Sequence, residues 1–190
     1  MAIVSDMDVL RYLRHERTFP HIWCPGCGIG IIMHALVRAI ARLELEQDKV
    51  AVLSGIGCAG RMTTYLNFDT MHTTHGRTLA FATGLKMARP ELHVLAVMGD
   101  GDAIAIGGNH FVHTARRNID ITAIVVNNQV YGMTGGQVSP TTPLGSLATT
   151  APHGNIDYPM PICDLAIAAG ASFVARSTVY HARQLDQVIE

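Results

Sequence analysis

Three short apolar runs, separated by helix-length segments, restrict this chain more than any other feature. "KVAVLSGIG" (49–57), "LHVLAVM" (92–98) and "DITAIVV" (120–126) are hydrophobic over a strand's length, without regular polar alternation. Strands of that kind are buried on both faces, which implies a parallel sheet with helices above and below it. The intervening segments agree. "GIGIIMHALVRAIARLEL" (28–45) repeats apolar residues at helical spacing, and "HGRTLAFATGLKMARP" (75–90) reads as a helix stopped by Pro90. Asp102–Arg117 predicts a further helix. Residues 1–23 predict a short helix in "MDVLRYLRHE" and then an extended arm. Residues 130–161, rich in Gly, Pro, Thr and Ser, predict a long structured loop. Beyond it "CDLAIAAGA" predicts a helix, "SFVAR" a strand and "HARQLDQVIE" the beginning of one more helix. The fold class expected is α/β, an open, doubly wound and mostly parallel sheet in a single domain over 1–190. The last helix is cut short, so the chain is expected to continue beyond Glu190.

Composition narrows the function. Hydrophobic residues make up 48% of the 190 and charged residues 15%, so some apolar surface is expected to meet another chain. A net charge of −1 with no basic stripe argues against nucleic acid as the main partner. No apolar run is long enough to span a membrane. "MAIVSDMDVLRYL" carries acids where a signal peptide carries Lys or Arg, so the cytoplasm is the expected compartment. In that compartment the four cysteines read as metal ligands or core residues rather than as disulfides.

Two polar punctuation marks fall at the ends of strands. Gly99-Asp100-Gly101-Asp102 follows one apolar run and Asn127-Asn128 follows the next, with Asp100 and Asn128 separated by 28 positions. That interval is about one strand–helix–strand unit, and open parallel sheets bind ligands beyond the carboxyl ends of their strands. Both side-chain oxygens can therefore reach one crevice. The glycines allow a tight turn and close backbone approach, and the following helix start offers N–H groups to phosphate. Mg²⁺ takes one or two protein oxygens together with phosphate oxygens. A magnesium diphosphate site fits this arrangement.

The thiols form a second group. "WCPGCGIG" places Cys24 and Cys27 in a CxxC, and Cys58 stands 31 residues later in "GIGCAGR". Two close thiolates and a remote one suit either tetrahedral zinc or an iron–sulfur cluster. Cys163, in "PMPICDLAIAAG", reads as a buried core thiol. His110 and His113 form an HxxH but lack a third ligand at suitable spacing. Arg77 in "HGR" takes no assigned role.

The stretch "HGRTLAFATGLKMARP…GDGD…GGNHF…ARRN…NNQVYGMTGGQVSPTTPLG" resembles the β subunits of 2-oxoacid:ferredoxin oxidoreductases, the 2-oxoglutarate type above all. The likeness extends over almost the whole chain. It implies a thiamine diphosphate-binding fold with Mg²⁺ held by Asp100, the Asn128 side chain and the Val130 carbonyl. Gly101, Asp102, Gly132 and Met133 would surround the diphosphate, and Ile56, Gly57, Cys58, Ala59 and His75 would line the rest of the cofactor site. Cys24, Cys27 and Cys58 would bind a [4Fe–4S] cluster whose fourth ligand is expected beyond Glu190. Arg61, on the loop approaching the cofactor, can pair with a substrate carboxylate. His75 and Arg61 are thus the catalytic candidates. The implied reaction is oxidative decarboxylation of a 2-oxoacid, 2-oxoglutarate foremost, to acyl-CoA and CO₂ with reduction of ferredoxin, or the reverse reductive carboxylation. The implied partners are an α subunit in an αβ or (αβ)₂ assembly, ferredoxin and coenzyme A. Two other readings compete. A non-redox thiamine diphosphate decarboxylase or synthase leaves the three cysteines without work. A zinc-binding interaction module leaves GDGD and Asn-Asn unexplained.

Overall fold

The sheet is built as its hydrophobic runs demand. In the computed structural model, which describes residues 9–14 and 20–190, the parallel strands are β1 (Val50–Ser54), β2 (Asp69–His72), β3 (His93–Gly99) and β4 (Thr122–Val126). They lie in the order β2-β1-β3-β4, each pair parallel. Around the sheet lie α1 (Ile29–Arg42), a helical turn at Ala59–Thr64, α2 (Thr78–Ala88), a π-helical turn at Gly101–Ile106, α3 (Gly108–Arg116), α4 (Ile162–Ala168) and α5 (Ala182–Ile189). A small antiparallel hairpin, β5 (Val130–Tyr131) and β6 (Gln137–Val138), lies within the long loop.

Alternate residues of the central strands supply two cores. Val50, Val52, Leu95, Val97 and Val126 face α1, where they meet Met33, Leu36, Val37 and Ile40. Ala51, Leu53, Val94, Ala96 and Met98 face the other way, against Leu79 and Ala82 of α2 and Phe111 of α3. This is the double winding that the apolar runs of β1 and β3 require, whereas β4, expected to be buried, lies at the sheet edge with only Val126 buried. Truncating a side chain such as Leu36, 2% exposed in the first core, costs about 2–5 kcal/mol by loss of transfer energy and creation of a cavity. On the outer side of α1, Asp186 of α5 accepts two bonds from Arg38, at 3.0 and 2.7 Å, and one from Arg42 at 3.2 Å. Burial works against the Asp186 charge. The Arg38 bonds and the charges of Arg38 and Arg42 outweigh it and hold the carboxyl below its ordinary range.

Several local expectations change. β2 escapes sequence reading because it is an edge strand with mostly exposed residues, so no apolar run announces it. "SFVAR" is not a strand: residues 173–178 have no regular structure, and Phe173 is exposed. Local β-propensity does not make a strand without a partner to bond, and β4 remains the sheet edge. The helix expected over Asp102–Arg117 divides into the π-helical turn and α3, with Gly107 between them. Cys163 is only partly buried at the start of α4, too near the surface to be the core thiol expected. Most of the expected N-terminal helix lies outside the described residues, although Val9 and Leu10 are helical. Among the described residues no helix is long and apolar enough to cross a membrane.

Candidate functional site

β1 stands beside β2 on one side and β3 on the other, so the chain reverses its direction of winding between β1 and β3. Loops leaving the carboxyl ends of such neighbours diverge and open a crevice. There the loop after β1, the turn after β3 and the segment after β4 form one cleft. Ile56, Gly57, Cys58 and Ala59 line one part, and Asp100, Gly101 and Asp102 the floor. Asn128, Val130, Gly132 and Met133 close it from the β4 side, with His75 at the rim of α2. Arg61 is absent from this lining. It sits in the helical turn Ala59–Thr64, and its buried Nε has no hydrogen-bond partner among the described residues.

Asp100 is buried at the end of β3 and its two oxygens have different neighbours. Oδ2 accepts from Ser139 Oγ at 2.5 Å and from Thr141 Oγ1. Near Oδ1, at 2.9 Å, lies the amide end of Asn128, which is also 3.1 Å from the Val130 carbonyl oxygen. Turned one way, the amide nitrogen donates to both. Turned the other way, three oxygens gather around one point. Among the described residues no three His, Cys, Asp or Glu side chains converge as a metal ligand set, so a cation here would rest on a carboxylate, an amide and a backbone carbonyl.

Asp102, two residues on, points its carboxylate at α2. Oδ1 accepts from the Gly76 N–H at 2.7 Å, from the Ile56 N–H at 3.4 Å and from His75 Nδ1. Its Oδ2 is buried and has no hydrogen-bond partner among the described residues. One carboxylate thus ties the loop after β1 to the start of α2 and fixes the imidazole at the cleft. Gly76 suits this position twice over. Its φ is 70°, and a Cβ would come within 2.6 Å of the Ile106 backbone. Gly101 is equally constrained, since a Cβ there would meet the Tyr131 ring at 2.2 Å.

Tyr131 was not legible as a site residue. Its ring stands edge-on to His75 with centroids 6.2 Å apart, and its hydroxyl donates to the Gly101 carbonyl at 3.4 Å. Burial, then the charges of Asp100 and Asp102, push the phenol up. Ser139 and Thr141 were also missed. They belong to a loop with no hydrophobic period, and only their proximity to Asp100 betrays them.

The thiol corner is looser. Cys24 and Cys27 are exposed and Cys58 is half-buried. The Cys27 N–H donates to the Cys24 carbonyl at 3.2 Å, forming the tight turn of the CxxC. Trp23 Nε1 donates to the Cys58 carbonyl at 2.7 Å and so pins the arm to the loop after β1. Burial, followed by the charges of Cys24 and Cys27, pushes the Cys58 thiol up. Cys58 thus lies within electrostatic reach of Cys24 and of Cys27, although among the described residues the three thiols do not converge as a ready metal site.

Residues 55–190 match the family described as thiamine pyrophosphate enzyme, C-terminal TPP binding domain. The chain is 60% identical over 178 residues to the 2-oxoglutarate synthase subunit KorB of Archaeoglobus fulgidus, covering 94% of this chain and 66% of that relative. It is 45% identical over 170 residues to the 2-oxoacid:ferredoxin oxidoreductase subunit beta of Saccharolobus solfataricus, covering 88% of this chain and 56% of the relative. Among solved structures it resembles, with a TM-score of 0.92 and 38% identity, the 2-oxoglutarate:ferredoxin oxidoreductase from Magnetococcus marinus with 2-oxoglutarate, coenzyme A and succinyl-CoA bound. That match covers 97% of this chain and 62% of the other. The chain spans about two thirds of the length of the 2-oxoglutarate synthase subunits KorB of Archaeoglobus fulgidus and Methanocaldococcus jannaschii. With this fold, this cleft and these likenesses, the chain belongs to the thiamine pyrophosphate enzymes, among the β subunits of 2-oxoacid:ferredoxin oxidoreductases.

Proposed function

We propose that this chain is the thiamine diphosphate-binding β subunit of an enzyme that oxidatively decarboxylates a 2-oxoacid, 2-oxoglutarate foremost. The products are acyl-CoA and CO₂, and two electrons pass to two ferredoxins; the reverse carboxylation uses the same groups. The 2-oxoglutarate assignment draws on the names of the relatives. An α subunit, ferredoxin and coenzyme A are its proposed partners, in an αβ or (αβ)₂ assembly, and the cytoplasm its proposed compartment.

The observation that carries the cofactor reading is the spacing of the oxygens around Asp100. Ligands at 2.0–2.1 Å in an octahedron lie about 2.9 Å from their neighbours. The Asn128 amide end lies 2.9 Å from Asp100 Oδ1 and 3.1 Å from the Val130 oxygen. Asp100, the Asn128 amide oxygen and the Val130 carbonyl would hold Mg²⁺ and leave other positions for diphosphate oxygens. The turn at Gly101–Asp102, together with Gly132 and Met133, would receive the diphosphate. Ile56, Gly57, Cys58 and Ala59 would flank the remainder. Thiamine diphosphate, when bound, supplies the carbanion stabilisation that lets CO₂ leave a 2-oxoacid.

The chain's own groups then orient and conduct. His75 engages Asp102 through Nδ1, so Nε2 is the nitrogen left to hold or pass a proton at the cleft. Arg61, on the helical turn after the loop that lines the cleft, is the proposed partner of a substrate carboxylate. Cys24, Cys27 and Cys58 would provide three of the four thiolates of a [4Fe–4S] cluster, which would accept electrons one at a time.

The test is 2-oxoacid-dependent reduction of a viologen by the full-length chain co-expressed with its genomic neighbour and purified without oxygen. Dye reduction with 2-oxoglutarate and coenzyme A, and about four irons per β chain, is expected. Decarboxylation without dye reduction, or stoichiometric zinc in place of iron, would overturn the redox reading.

A further inference from the structure

The oxygen cluster at Asp100 is held from behind by three hydroxyls on the segment Ser139-Pro140-Thr141-Thr142. All three are buried. Ser139 Oγ and Thr141 Oγ1 both donate to Asp100 Oδ2, and they lie 3.3 Å from each other. Thr142 Oγ1 accepts from the Ser139 N–H at 2.8 Å and donates to the Gln129 carbonyl at 2.7 Å. Gln129 stands between Asn128 and Val130 with a left-handed φ of 61°. A non-glycine residue there carries strain of about 1–3 kcal/mol and persists only where its surroundings hold it. Thr142 is itself braced, because Asn155 Nδ2, on a side chain also buried, donates to the Thr142 carbonyl at 2.9 Å.

Each bond has a geometric consequence. With Oδ2 occupied by two hydroxyl donors, the Asp100 carboxylate cannot rotate or offer both oxygens to one cation. Only Oδ1 is presented. The Thr142 bond holds the Gln129 kink between Asn128, whose amide end reaches that same Oδ1, and Val130, whose carbonyl meets the same amide end. The three ligand positions thus come from two elements, and one short segment fixes both.

The geometry points to Ser139, Thr141 and Thr142 as positioning residues that set the affinity of the cation site and its preference for a small octahedral ion. This rests on the proposed Mg²⁺ reading of Asp100. A rigid frame in which the Asn128 amide end lies 2.9 Å from Asp100 Oδ1 and 3.1 Å from the Val130 oxygen suits Mg²⁺, which demands near-ideal octahedral geometry, whereas Ca²⁺ tolerates longer and variable contacts. Loosening the frame therefore costs Mg²⁺ more than Ca²⁺. Removing hydrogen-bonded partners of metal ligands weakens metal affinity by about 10–100-fold.

The experiment uses the full-length chain assembled with its partner subunit, stripped of metal by chelation and supplied with thiamine diphosphate. It is titrated with Mn²⁺, free ion being followed by electron paramagnetic resonance, and then competed with Mg²⁺ and with Ca²⁺. Thr141→Val and Thr142→Val remove a hydroxyl at almost constant volume, and Thr141→Ser and Thr142→Ser retain it. The valine variants are expected to bind Mn²⁺ about 10–100-fold more weakly and to lose more Mg²⁺ than Ca²⁺ affinity, while the serine variants stay close to the parent. Ser139→Ala, the smallest deletion, gives the same reading should a valine variant fail to fold, as judged by near-ultraviolet circular dichroism. Folded valine and alanine variants with parental affinity, or with equal losses for Mg²⁺ and Ca²⁺, would overturn the inference while Asp100→Ala still abolished binding. Parental Mn²⁺ binding by Asp100→Ala would instead overturn the cation site itself.

Discussion

The oxygen corner around Asp100 and the thiol corner around Cys58 adjoin the same cleft, yet they are prepared for their ligands differently. Asp100 is 1% exposed, and Ser139, Thr141 and Asn128 occupy both of its oxygens. Cys24 and Cys27 are exposed and Cys58 half-buried, and only the backbone around them is tied down, through Trp23 and the CxxC turn. The reason is chemical. Oxygen ligands accept hydrogen bonds, so hydroxyls and amides can hold them in place before any ion arrives. Thiols are weak donors and acceptors, and thiolates brought together without a metal repel; burial first, and then the charges of Cys24 and Cys27, raise the Cys58 thiol. The oxygen corner is preorganised by the fold. The thiol corner is expected to be drawn together by its cluster.

Four changes break or sharpen that contrast, the largest first. Asp100→Ala should reduce thiamine diphosphate binding in calorimetry by at least about a hundredfold, since ligand and outer bonds vanish together. Its circular dichroism should remain that of a folded α/β protein. Next, Cys58→Ser should take iron content from about four per chain to near zero. It should leave Mg²⁺-dependent cofactor affinity within a few-fold of the parent, because the two corners share a cleft but no ligand. A parallel loss of cofactor binding would mean that the corners are one site.

Asp102→Asn tests the element between them. The amide can still accept from Gly76 but no longer carries charge for His75 or the Ile56 N–H. A loss of about 1.5–3 kcal/mol is expected, the range for hydrogen bonds to charged groups. Slower turnover at little-changed cofactor affinity would place His75 with the chemistry. The smallest effect is reserved for a control far from both corners. Asp186→Asn should lower stability by about 1–2 kcal/mol in denaturant melts through loss of charge-assisted bonds from Arg38 and Arg42. The sign with pH follows from the lowered carboxyl. Its stabilisation is present above the unfolded value of about 3.9 and disappears as pH falls through the folded value. The difference between parent and variant should therefore be constant near neutrality and shrink in acid.

Much of this was legible in the one-dimensional chain. "KVAVLS" and "LHVLAVM" announce buried parallel strands because apolar residues fill both of their faces, whereas "DITAIVV" pairs in parallel as expected but lies at the sheet edge with only Val126 buried. Given parallel strands, Asp100 and Asn128 must emerge at the same edge of the sheet, and the cleft follows. β2 was hidden because an edge strand exposed to solvent carries no such signature. "SFVAR" misled because its propensity is local and pairing is not.

The amino-acid order by itself determined the class of fold, the end of the sheet that matters and the residue types gathered there. Only the tertiary structure decided how those residues are aimed. Asp102, expected beside a diphosphate, bonds His75, Gly76 and Ile56 from two separate segments. Ser139 and Thr141, 39 and 41 positions after Asp100, supply the bonds that orient its carboxylate. Strand burial is a property of consecutive residues and can be read along the chain. A hydrogen bond between side chains so far apart depends on where a loop without periodicity returns, and packing alone determines that return.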